Sequence, residues 1–305
     1  MREEEVIIVD SIPCDTYRSL IEDCVKYAII SLPFTVDRMR LRDDKKRALN
    51  IAKGKIAENL FKFFCENNNI YPDFDACATP FWDVDNRDFI LRGNEWDIKN
   101  NFYYESKYGI SKYTDLPALV PNRFPGDQWS KRNENIQIGS NGVEFLFTFL
   151  KGADLLNNGN RGNEFLDITL NTAQLNYIHQ LYTRYQGLPQ SSKPFEEKDF
   201  WAKMENLGPT NYFILYDFPA LIITGYANQS NWHEFRDTGP FDRNNTWRSY
   251  INPQWYSKTA RGSINFLNGT LWTVITNATL PVNKLPSFLS LYPHLKNQIK
   301  YGHLK

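Results

Sequence analysis

Asp88-Phe89-Ile90-Leu91-Arg92-Gly93-Asn94-Glu95-Trp96-Asp97-Ile98-Lys99 is the stretch on which the reading of this chain turns. Two strand-like runs flank Gly93-Asn94, a workable two-residue hairpin loop. That loop sets Arg92 opposite Glu95, Ile90 opposite Asp97 and Asp88 opposite Lys99. Because successive strand side chains alternate between faces, Phe89, Leu91, Trp96 and Ile98 share one side. Asp88, Asp97 and Lys99 share the other. Two carboxylates and an ammonium then meet on the polar face of a hairpin whose reverse is apolar. Paired carboxylates suit a hard divalent cation, since Mg²⁺ takes oxygen ligands and keeps sites for water or phosphate. A neighbouring lysine can hold an attacking water and offset phosphate charge.

Working outward, residues 15–31 carry a helical apolar period ending before Pro33. Asp37 can cap a second helix reaching about Asn67, with Leu49, Ile56, Leu60, Phe63 and Phe64 on one stripe. Glu58 lies nearly opposite that stripe, flanked by Gly54, Ala57, Phe61 and Cys65. The small residues would let the helix approach a sheet and direct Glu58 toward the carboxylates. Strands are expected at 79–84, 88–92, 95–100, 143–150, 211–216 and 220–226, and a helix over 172–185. Residues 187–210 and 227–245 read as loops, and the last 60 residues as short strands with a Pro-broken helix. This order points to a mixed α/β sheet.

In this order the residues resemble the PD-(D/E)xK nuclease superfamily, best known from type II restriction endonucleases. Gly54 and Glu58 stand on a first helix, Asp88 opens a strand, and Asp97-Ile98-Lys99 lies on the next. Ile222-Ile223-Thr224-Gly225-Tyr226-Ala227 is similar to a strand and turn that often follows such a core. The resemblance spans roughly 37–150 and loosely extends to 227. It implies an α/β, restriction-endonuclease-like core: a mixed central β-sheet flanked by helices, with a C-terminal extension. It further implies that Asp88 and Asp97 bind Mg²⁺ (Mn²⁺ substituting), that Lys99 positions the water, and that Glu58 supports metal or water. Arg87 stands where the family name has proline, and Asp97 replaces the commoner Glu. Asp83 and Asp85 rival Asp88, while Glu105-Ser106-Lys107 is a second triplet without an apolar strand before it.

The remaining composition bounds the partners. The chain has 305 residues, with 35 basic and 35 acidic side chains. Residues 1–36 carry seven acids against three bases, whereas 37–62 carry nine bases against four acids. Residues 243–305 hold eight bases and no Asp or Glu. Arg248, Lys258 and Arg261 stand there among Trp, Tyr, Asn and Gln, residue types that contact phosphates and bases. They are the candidate DNA-binding residues. The expected organisation is an N-terminal helical segment (1–36), a nuclease core (37–226) and a basic, aromatic C-terminal region (227–305). Double-stranded DNA is the expected partner. A homodimer is expected because two-fold DNA symmetry is matched most simply by a C2 pair. No apolar run reaches membrane-spanning length and the first residues are acidic, so a cytoplasmic location is expected. Cys14, Cys24, Cys65 and Cys77 form no CxxC pair and read as small hydrophobes. GxSxG, HExxH, Walker and Rossmann patterns are absent. The expected function is a Mg²⁺-dependent DNA endonuclease. The alternatives are a structure-specific repair or recombination nuclease and a non-catalytic nucleic-acid-binding module.

Overall fold

The computed structural model describes residues 1–39, 43–83, 87–105, 112–121, 143–153, 155–157, 160–162, 166–186, 192–214, 220–227, 231, 264–265, 271–273 and 277–297. In chain order the elements are β1 (Ile7–Val9), α1 (Cys14–Met39), α2 (Asp44–Asn67), β2 (Phe89–Leu91), β3 (Asn94–Glu105), β4 (Pro117–Pro121) and β5 (Val143–Ala153). Next come β6 (Leu155–Asn157), β7 (Asn160–Gly162), β8 (Leu166–Thr169), α3 (Thr172–Tyr185), α4 (Glu197–Asn206), β9 (Asn211–Ile214) and β10 (Ala220–Ala227). The last strands are β11 (Ile264–Asn265), β12 (Leu271–Thr273) and β13 (Asn277–Pro281).

A five-stranded mixed sheet in the order β1-β10-β5-β3-β2 organises the molecule. Only β3 and β5 run parallel, with Asp97 level with Phe145 and Lys99 level with Phe147. Alternation along β5 divides the interior. Leu146 and Leu150 join Phe89, Trp96 and the buried faces of α1 to α4 in one core. Phe145, Phe147 and Phe149 join Tyr113, Leu116, Val282 and Leu285 in a second core on the reverse face. The expectation of a mixed α/β sheet with helices against it holds at this level. No helix among the described residues is long and apolar enough to cross a membrane.

Several expected elements differ. Helix α1 continues through Pro33 to Met39 rather than stopping before it. Ala28, Ile29 and Leu32 around the proline are wholly buried, and that burial outweighs the hydrogen bond a helix-interior proline forfeits. Asp43, not Asp37, caps α2, accepting from the Lys46 N–H at 3.1 Å. The strand expected at 79–84 is absent over the described 79–83, a turn there placing Phe81 in an aromatic cluster with Phe34 and Phe195. Helix α4 occupies part of the expected loop 187–210.

The expected boundaries at 36/37 and 226/227 fall inside α1 and β10. β1 pairs with β10, Ile7 opposite Ile223, so the first residues complete the central sheet. Phe288 enters the helical core while Val282 and Leu285 enter the reverse one. Gly225 marks where this late segment meets β10. A Cβ there would lie 2.9 Å from both Leu285 Cβ and the Pro286 carbonyl, and the Tyr226 N–H donates to that carbonyl at 3.0 Å.

Candidate active site

The β2–β3 hairpin turns at Arg92-Gly93, not Gly93-Asn94. Both residues have positive φ, +55° and +81°, the combination a type I′ turn requires. Leu91 therefore faces Asn94 and Phe89 faces Trp96. Face alternation is as expected, but the register is not: Asp88 does not stand opposite Lys99. Its N–H donates to the Trp96 carbonyl at 2.8 Å, and its Oδ2 accepts from the Ile98 N–H at 2.5 Å. Three-residue β2 ends there, and the Asp88 carboxylate takes up the next backbone donor along β3.

Asp97 and Lys99 lie on the reverse face, as alternation requires. Lys99 Nζ donates to Asp97 Oδ2 at 2.5 Å. Both side chains are largely withdrawn from water, 12% exposed for Lys99 and 10% for Asp97. The ammonium also stands 4.9 Å from the centroid of the Phe145 ring. Asp88, Asp97 and Lys99 thus gather on one short stretch of β3, Asp88 through the backbone of the residue between the other two.

Glu58 does not join them. It pairs with Lys55 at 2.6 Å on α2, whose Phe61 packs on Phe89 across the helical face of the sheet. Lys55 overlies the Tyr27 ring of α1, and the neighbouring Asn59 amide donates to Cys24 Sγ at 3.5 Å. The Glu58 charge adds to burial in pushing the Cys24 thiol upward. Glu58 therefore faces the α1–α2 seam, with the sheet between it and Asp97. Gly54 misled here, since a Cβ on it would meet nothing within 4 Å.

Of the rivals, Asp83 lies in a turn, its N–H donating to the Pro80 carbonyl at 2.9 Å. Glu105 ends β3, four pairs beyond Asn101 in the ladder with β5. Asp85 and Lys107 lie outside the described residues, as do Arg248, Lys258 and Arg261. Among the described residues no group of three or more His, Cys, Asp or Glu is arranged to hold a metal ion. Asp88 and Asp97 each offer hard oxygen donors, the kind with which Mg²⁺ is commonly held beside a phosphate. The donor chemistry fits Mg²⁺; the expected third carboxylate, Glu58, is elsewhere. The cysteines offer no softer site. Cys24 and Cys65 are buried, and burial pushes both thiols up, away from the thiolate a metal would need.

Sequence reasoning did not single out Phe145 or the Ile98 N–H. Phe145 is one of several apolar residues in a core-like run, and a backbone amide has no sequence signature. No protein-family model matches this chain, and neither curated proteins nor solved structures give a significant match.

Proposed function

We propose that the chain is a Mg²⁺-dependent endonuclease acting on double-stranded DNA, of the type II restriction kind. One observation carries the reading: of the residues that resemble the PD-(D/E)xK signature, Asp97 and Lys99 pair on β3 beside a packed apolar face, and Asp88 is hydrogen-bonded to the N–H of Ile98 between them. Asp88 and Asp97 would hold the ion, with Mn²⁺ able to replace it. When bound, Mg²⁺ neutralises charge on the phosphate and acidifies a water. Lys99 Nζ donates to the attacking water and orients it for in-line displacement. The Ile98 N–H fixes the Asp88 carboxylate against β3, so that its oxygens need not reorganise during the reaction. Glu58 has no role in this mechanism. Arg248, Lys258 and Arg261 are the proposed DNA contacts, and a homodimer would present two such sites to a palindrome.

The 2.5 Å Asp97–Lys99 ion pair also favours a second reading, a nucleic-acid-binding module in which these side chains are structural. One experiment separates the readings. Mixed-sequence DNA is incubated with the protein and Mg²⁺, and the new ends are sequenced. Ends clustered at one palindrome support the restriction reading. Ends at branches or flaps indicate a structure-specific nuclease. Salt-sensitive binding without cutting under Mg²⁺ or Mn²⁺ indicates the module.

A further inference from the structure

We infer that Phe145 is a positioning residue for Lys99, its ring holding the lysine ammonium where the water must be met. As a role in catalysis, this rests on the nuclease reading. Lys99 is 12% exposed, so its ammonium has lost most of its hydration and must recover that energy from neighbours. Its neighbours include Asp97 Oδ2 at 2.5 Å and the face of Phe145 at 4.9 Å. The arrangement follows from the sheet. In the parallel β3–β5 ladder Phe145 stands level with Asp97. Lys99, two residues further along the same face, reaches back toward Asp97 and so passes over the ring.

The two neighbours differ in what else they can do. Asp97 has another task in the proposed reaction, and any cation on its carboxylate competes with the ammonium for the same oxygens. Phe145 is neutral and 1% exposed. It attracts a cation through its ring quadrupole without competing for a metal. A ring so buried cannot swing away. The ring therefore keeps Lys99 in place whether or not Asp97 is engaged, a service that leucine, of similar apolar character, could not supply.

The test has a direct reading and a kinetic one. By NMR of lysine-labelled protein, with Lys99 assigned through Lys99→Arg, the wild type should show nuclear Overhauser contacts between the Phe145 ring and the Lys99 ε-methylene. The ε-protons should be shifted upfield by the ring current. That shift should persist in Asp97→Asn and vanish in Phe145→Leu. An unshifted ε-methylene without ring contacts in the wild type overturns the proposal, and so does an Asp97→Asn protein in which the shift is lost. The wild-type and Asp97→Asn arms do not depend on whether Phe145→Leu folds. In cleavage, Phe145→Leu should lower kcat by about tenfold with KM and DNA affinity unchanged, and Phe145→Tyr should restore it. A Phe145→Leu enzyme with wild-type kcat overturns the catalytic role. If the wild type cuts no DNA, the nuclease reading fails, while the NMR arms still decide whether Phe145 holds Lys99.

Discussion

At the scale of single residues, the structural role of Asp88 can be separated from the chemical role proposed for it. Its carboxylate satisfies the Ile98 N–H that β2 is too short to reach. Asp88→Ala leaves that donor without this acceptor and should cost about 1–3 kcal/mol in denaturant unfolding. Asp88→Asn keeps an oxygen for the N–H and should retain most of the stability. Both should abolish Mg²⁺-dependent cleavage, so stability and activity should part company in the Asn variant. Glu144, on β5, makes a pH-dependent case. Burial raises its pKa from the ordinary 4.5, with the Asn94 amide and the Arg92 charge only partly opposing. An acid raised in the folded state is penalised when ionised, and the penalty is relieved as pH falls through its folded pKa. Glu144→Gln preserves an acceptor for Asn94, which donates at 2.7 Å. Its melting temperature should exceed that of the wild type at neutral pH, and the gain should shrink as the pH falls through the raised pKa toward the ordinary 4.5, by which point the wild-type carboxyl has taken up its proton. An unchanged difference between the two pH values would count against a half-buried, ionised Glu144.

At the scale of elements, the tightest constraint is where β10 meets the segment around Pro286. The pairing of β10 with β5 shifts between Ile223 and Tyr226, and Gly225 fills the gap with no room for a side chain. Gly225→Ala must push on the Pro286 backbone, so the variant should lose about 1–3 kcal/mol of stability, measurable by denaturant unfolding with the site residues untouched. How much of these elements the sequence disclosed depended on which force shaped them. Helix α3 was legible end to end, because Asn171 and Gln174 form a capping box and the apolar period is clear. Helix α4 was not. Its ten residues bury only Phe200 and Met204 amid charges, and its form depends on aromatic packing such as Phe200 on Phe195. The hairpin faces were legible because alternation is local. Its register was not, since Arg92 adopts a positive φ that side-chain-bearing residues generally avoid. The placement of the candidate residues was legible to the same extent: Asp88, Asp97 and Lys99 belong to one hairpin, whereas the position of Glu58 depended on which way a separate helix docks.

At the scale of the whole molecule, both ends of the described chain close the reverse face. The Glu3 carboxylate accepts from the N–H groups of Tyr113 and Thr114 and from the Thr114 hydroxyl. The Ser287 hydroxyl donates to the Glu5 carbonyl at 2.9 Å. Asp97 and Lys99 lie on this face, away from the four helices, and in the proposed reaction DNA would have to reach them from the side of the sheet opposite α2. In the proposed assembly two copies present this face to one duplex. Light scattering should give the mass of two chains plus one duplex with cognate DNA, and a mass corresponding to one chain both free and bound would exclude the dimer. The central claim is that Asp97 and Lys99 do chemistry rather than merely pair with each other, and plasmid cleavage tests it most directly. Wild type, Asp97→Ala and Lys99→Ala, matched by circular dichroism, are incubated with supercoiled DNA and Mg²⁺. Cutting by the wild type, complete loss in both variants and retained DNA binding are the expected results. A fully active Asp97→Ala protein would contradict it and move the site to Glu105 and Lys107.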